Sequence, residues 1–426
     1  MDMRHHIILS LGMAFTFAVN LSAQETKTDV SSADTDSLSL PEGMQQHEID
    51  SLLYEWNIRN FLSFDDSCET TGENPTFPPE VYIDRLQRLP NVMEMPYNEV
   101  VQKYIDQYSG RLRRSVSIML GASNFYTPLF EEALESYQIP LELKYLPIIE
   151  SALNPGATSR VGAAGLWQFM ITTGKQYGLE VTSLIDERRD PIKSSYAAAR
   201  YLKDLYDIFG DWTLVIACYN CGPGNVNKAI KRADGATDYW QIYPYLPNET
   251  RGYVPAFIAA NYIMNYYCDH NICPVNSVLP AGTDTLSISR NVYMEQIAAV
   301  CHIGMDELKA LNPQYRTTLI PGDTHACTLR MPAPAINAFI EAGDSVYTYK
   351  AEGVKMGRKV VETAVNAKGS KSTPTSNGKA SYVKVRKGDT LGAIAQNNHT
   401  TIARLQTLNG MGRSTNIREG QKLRVR

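Results

Sequence analysis

Residues 143–170, LKYLPIIESALNPGATSRVGAAGLWQFM, hold one carboxylate in an apolar run followed by a loop of small residues. A carboxyl group among apolar side chains is costly to ionise. Its pKa rises, and it stays a proton donor near neutral pH. Glu150 is thereby a candidate general acid. If residues 141–153 are helical, Leu143, Leu146 and Pro147 share its side of the helix, and Pro147 kinks it by removing a backbone bond. A glutamate near a helix end, partly solvated or paired with Arg160, fits the same residues. Beyond it, Gly162, Ala163, Ala164 and Gly165 would let a ligand approach the backbone closely. Trp167 and Gln168 then offer a flat apolar face and a two-ended amide, which suits a sugar with its apolar faces and hydroxyl edges. A glycine turn with a core tryptophan has the same composition.

The elements that must position these groups read as helices. Over 79–276 apolar residues recur at three and four, as in YNEVVQKYIDQY, SSYAAARYLKDLYDIFG and YVPAFIAANYIMNYY, with Asp, Ser, Pro and Gly at the boundaries. The tail differs. Residues 285–331 and 381–426 each run strand, helix, turn, helix, loop, strand, which reads as an internal repeat with a degenerate first copy. In the second copy Val383 and Val385 alternate, as do Leu423 and Val425, and Asp389 and Thr400 stand as helix caps. The module boundaries fall at 285–333 and 381–426, and a Ser/Gly/Thr/Pro-rich linker fills 334–380.

Charge and cysteines bound the setting. Formal net charge is −4, but residues 24–80 carry thirteen acidic against two basic residues, while 381–426 carry nine basic against two acidic. The first reads as a solvated leader over 24–78, the second as a surface able to face an anionic polymer or simply water. Residues 1–23 have a short basic start, an apolar run of about a dozen residues and a small-residue end. That run is too short to span a bilayer and has the layout of a secretory signal. No cysteine follows it closely, so no lipid-anchored terminus is expected. Of the seven cysteines, Cys268 with Cys273 and Cys301 with Cys327 are candidates for local bridges. Cys218 and Cys221 form a lone C-x-x-C without a second pair at metal-ligand spacing.

Four stretches together resemble a known family. Glu150–Ser151, GAAGLWQF, ACYNCGPGNV and ETRGYV occur in the order found in family 1 lytic transglycosylases, the goose-lysozyme-like enzymes that cleave peptidoglycan. The tail copies resemble LysM modules, and the layout is similar to the D type of membrane-bound lytic transglycosylases. The resemblance covers residues 95–426. It implies a mainly α lysozyme-like catalytic domain followed by small α+β (βααβ) LysM modules. It further implies that Glu150 acts as acid and then base without a metal or organic cofactor, cutting between N-acetylmuramic acid and N-acetylglucosamine with 1,6-anhydro ring closure. By motif match Ser159 orients the substrate, Gln168 and Asn220 bond sugar or N-acetyl groups, and Tyr219 and Tyr253 line the cleft. The expected partner is the peptidoglycan strand, held by cleft and modules, with no role for nucleic acid. The expected address is exported, either periplasmic or peripherally associated with the cell envelope. The chain departs from the family pattern at Cys218 and Cys221, where alanines are usual, and a disulfide there would tune the site.

Overall fold

A computed structural model describes residues 62–64, 73–277, 279–280, 282–350 and 382–425, the last with gaps at 386–388, 399, 412–413 and 416. The readings of a signal peptide, and of most of the leader, lie outside the described residues. The chain divides into two compact units, 1–363 and 364–426.

Helices dominate the first unit up to His270. Helix Tyr253–Tyr266 buries all but two of its fourteen residues, as expected of a helix apolar all round that forms the centre of a core. Helix Glu99–Ser109 packs on it through Val101, Tyr104, Ile105 and Tyr108. Helix Pro191–Phe209 starts where Asp190 accepts from the backbone N–H groups of Ile192 and Lys193, and ends at Gly210 with φ +66°. Asn98 and Asp211 cap their helices in the same way. No helix among the described residues is long and apolar enough to cross a membrane.

The first of the described helices, Pro79–Arg88, is locked to the end of this region. Arg85 donates to the Tyr262 hydroxyl at 2.8 Å and to Asp269 at 2.8 Å, lies over the Phe77 ring, and its carbonyl accepts from Tyr266. Beside it His270 is fully buried, its Nε2 3.1 Å from the Tyr262 hydroxyl. Burial, then the Arg85 charge, lowers the His270 pKa to about 4. The unfolded chain binds this proton below about pH 6.5 and the folded chain does not. Its contribution is therefore complete above that pH, and about 3 kcal/mol is lost as pH falls to about 4. Urea midpoints measured from pH 7 to 4 should show this loss, and His270→Gln should flatten it. An equal slope in that variant would assign the loss to other groups.

Residues 283–348 form a second core inside this unit. Thr283–Ile288 pairs antiparallel with Cys327–Pro332, and Asn291–Tyr293 with Leu319–Pro321. Helices Met294–Cys301 and Met305–Leu311 lie between. The copy thus has two strands on each side of its helices rather than one. Helices Ala333–Ala342 and Ser345–Thr348, at positions read as linker, pack Ile336, Phe339 and Val346 into the same core.

In the second unit, Tyr382–Lys384 pairs antiparallel with Lys422–Arg424 around helices Leu391–Asn397 and Ile402–Leu408. Its core is Val385, Leu391, Ile394, Ala395, Leu405, Leu423 and Val425. The cap of the second helix is Thr401, one residue after the expected Thr400. The two copies share one detail. Asn312 and Asn409, each just after the second helix, exchange side-chain bonds with the backbone of Arg330 and Arg424 in the last strand, all at 2.7–2.9 Å.

The expected local disulfides do not form. Cys268, Cys301 and Cys327 are free, as are Cys218 and Cys221, and Cys273 is disulfide-bonded. Cys268 is exposed after the last long helix, whereas Cys301 and Cys327 fill the module core as thiols, burial pushing each up to about 11. Buried Cys218, pushed to about 12, is likewise a core thiol.

Candidate active site

Glu150 sits in a six-residue helix, Leu146–Ser151. A 3₁₀ turn, Leu141–Tyr145, precedes it. Pro147 therefore does not kink one long helix. It stands in the first turn of a short one, where a missing N–H costs nothing. The helix ends at Ala152 and Leu153, both at positive φ, which turns the chain abruptly after the glutamate. Leu146, Pro147, Ile148, Ile149 and Ser151 are buried, and Glu150 alone of the helix is half-buried.

Two tyrosines from distant helices bear on the carboxylate, one by a hydrogen bond and one by proximity to its charge. The Tyr253 hydroxyl, at the start of the central helix, donates to Glu150 Oε1. Tyr219 is on helix Trp212–Cys221, and its hydroxyl donates to the Trp167 carbonyl at 2.8 Å. Burial first, then the Glu150 charge, pushes both phenols well above their ordinary range, so both stay protonated donors. Next to Tyr219, Asn220 accepts from the buried Thr250 hydroxyl at 2.8 Å, which fixes which end of its amide is presented. Thr250 lies inside ETRGYV, while Glu249 of the same motif is exposed. Its partner identity was not legible, since the spacing marks the motif but not which member turns inward.

The glycine loop is held from both ends. Ser159 Oγ accepts from Ala163 N at 3.1 Å, and Ser159 exchanges backbone bonds with Gly162 and Ala163. Gln168 adopts φ +46°, uncommon for a residue with a side chain, and its amide donates to Gly165 O at 2.7 Å. Ser151 Oγ lies within reach of the carbonyls of Pro147 and Leu166, at 3.0 and 2.9 Å, and so ties the glutamate helix to the loop. Trp167 is not a sugar platform. It is fully buried, edge-on to Phe130, with Nε1 donating to Ser195 Oγ at 2.8 Å. Gly165 does not make room for a ligand either. A Cβ there would stand 1.7 Å from the Arg188 carbonyl oxygen. What approaches the loop is the chain's own backbone.

The structure thus brings Glu150, Tyr219 and Tyr253 together. Ser159 and Gln168 lie on the adjoining loop and Asn220 beside Tyr219. Among the described residues no cluster of three His, Cys, Asp or Glu is placed to hold a metal ion.

Residues 128–242 match the transglycosylase SLT domain. Residues 282–348 match the LysM-like domain of lytic transglycosylase MltD, and 383–426 a LysM domain. The membrane-bound lytic murein transglycosylase D of Escherichia coli is 31% identical over 332 residues, 67% of this chain and 72% of the relative. The soluble lytic murein transglycosylase of Escherichia coli is 32% identical over 151 residues, 33% of this chain and 23% of the relative. The crystal structure of the 70 kDa soluble lytic transglycosylase of Escherichia coli shares 30% identity over 34% of this chain and 25% of that one, with a TM-score of 0.30. The chain belongs to the lytic murein transglycosylase family.

Proposed function

We propose that this chain cuts the β-1,4 bond between N-acetylmuramic acid and N-acetylglucosamine and closes a 1,6-anhydro ring on the muramic side. Glu150 delivers a proton to the glycosidic oxygen as the bond to C1 breaks, and the substrate's N-acetyl oxygen supports C1. Glu150 then takes the proton of the C6 hydroxyl, which attacks C1, so one residue serves as acid and then base. The observation that carries this reading is the Tyr253 hydroxyl on Glu150 Oε1, which orients a half-buried carboxyl at the edge of the glycine loop. Enzymes that deliver water instead use a second carboxylate. The acid bonded beneath this loop, Asp186, is fully buried and engaged by arginines, so it does not serve.

Gln168 and Asn220 present amides, and Ser159 a hydroxyl, to the sugar and its N-acetyl groups. The LysM modules bind the same polymer, which keeps its strands near the cleft. The chain acts outside the cytoplasm, in the periplasm or peripherally at the envelope.

Purified peptidoglycan digested by the protein and read by mass spectrometry tests this. Muropeptides one water lighter than hydrolysis products, without a reducing muramic end, are expected. Reducing ends would make it a muramidase, and intact wall with bound protein would make it a binding protein. Tyr253→Phe should lower kcat about tenfold, since an unoriented acid loses part of the usual 10²–10⁴-fold of general acid catalysis, with wall sedimentation unchanged. An unaltered kcat would remove Tyr253 from the site.

A further inference from the structure

The loop that carries Ser159 and Gln168 rests on charges that end in a different module. Arg188 Nη1 donates to the carbonyls of Gly162 and Phe169, both at 2.8 Å, so one guanidinium spans the mouth of the loop. Arg189 donates to Gly156 O and to Thr158 Oγ1, holding the arm that leads in. Both arginines are set by Asp186, which is fully buried, takes Arg188 through two bonds of 2.8 Å and lies 3.8 Å from Arg189. Burial raises the Asp186 pKa, but the Arg188 bond and charge, with Arg316 and Arg189, outweigh it and hold the carboxyl below its usual range.

Asp186 is in turn gripped from the 282–348 module. Arg316 Nη2 donates to Asp186 Oδ2 at 2.7 Å. Asp186 N donates to Gln314 O and Arg316 N to Leu184 O, both at 2.8 Å, around an antiparallel bridge between Ile185 and Tyr315. A buried carboxylate needs all its partners, and losing one leaves the others poorly held.

We propose that Arg316 is a positioning residue for the reaction, and that the 282–348 module braces the glycine loop through Arg316, Asp186 and the Arg188–Arg189 pair. The module is then part of the catalytic apparatus, whatever glycan it also holds. This rests on the reading above in taking Ser159 and Gln168 as substrate contacts. Displacement of such contacts by about 1 Å costs up to about 10²-fold in rate.

The test uses the full chain with Arg316→Ala, Arg316→Lys and, as a control on module stability, Arg290→Ala, which breaks an ion pair to Asp344 within the module. Initial rates are measured against wall concentration, alongside hydrogen exchange of the 156–169 peptides. Arg316→Ala should lower kcat about tenfold with KM and wall sedimentation unchanged, and speed exchange in the loop. Arg316→Lys should recover most of both, and Arg290→Ala should alter neither. An unchanged kcat, a loss confined to KM, or an equal loss in Arg290→Ala would overturn the brace. If the parent chain leaves the wall intact, the functional reading fails while loop exchange still decides the brace.

Discussion

Glu150→Gln should abolish strand cleavage, with turnover down by at least about 10³-fold, while the protein folds and sediments with wall as before. Glutamine is nearly isosteric, and its carbonyl oxygen can still accept from Tyr253, so the local packing of Leu146–Ser151 survives. What it lacks is a transferable proton. In the proposed path the carboxyl moves a proton at two points, giving one to the leaving oxygen and taking another from the C6 hydroxyl, so both halves fail together. Release of anhydro-muropeptides and co-sedimentation, measured on one preparation, separate chemistry from binding. Turnover within about tenfold of the parent would place the acid elsewhere.

Gly165→Ala should be the most damaging substitution that removes no functional group. The added Cβ would meet the Arg188 carbonyl oxygen at 1.7 Å and its carbon at 2.6 Å, and the residue sits at φ +87°. Backbone cannot yield as a side-chain tip can, so the loop or the Asp186–Arg189 segment must move. We expect a stability loss of about 3 kcal/mol or more and a fall in turnover of about 10²-fold, because Gln168 bonds the same residue. Gly162→Ala is the matched control. Its φ is +89°, but nothing lies within 4 Å of the added Cβ, so only the conformational cost of about 1 kcal/mol remains. Urea unfolding of both variants checks this, and equal losses would mean that the close approach contributes nothing.

The helical region and the α+β tail were legible because amphipathic period and cap chemistry are local. The residues around Gly210, Asp190 and Asn98 state their own boundaries. The candidate acid was legible as a candidate too, since Glu150 stands out as one carboxylate in an apolar run. The rest depends on partners far along the chain. Gly165 reads as space for a ligand until Arg188 is seen against it, and Trp167 reads as a sugar platform until Ser195 and Phe130 enclose it. Cys268 and Cys273 are close in sequence, yet which thiols pair is set by tertiary geometry, and Cys268 stays free. Nothing local in RNVY or TTLIPG announces a second strand pair, and nothing local in NPQYR announces a bond to Asp186.

The locking of Pro79–Arg88 onto the far end of its domain also sets a timetable for synthesis. The partners of Arg85 come 177 and 184 positions later. At about 5–20 residues per second a ribosome needs roughly 10–40 s to supply them. For that interval Tyr82, buried in the finished protein, has the nearby rings of Phe77 and Tyr97 but lacks those of Tyr262 and His270. Of the described helices, the one made first is thus among the last to be fully covered, when Tyr262, Tyr266 and Asp269 arrive.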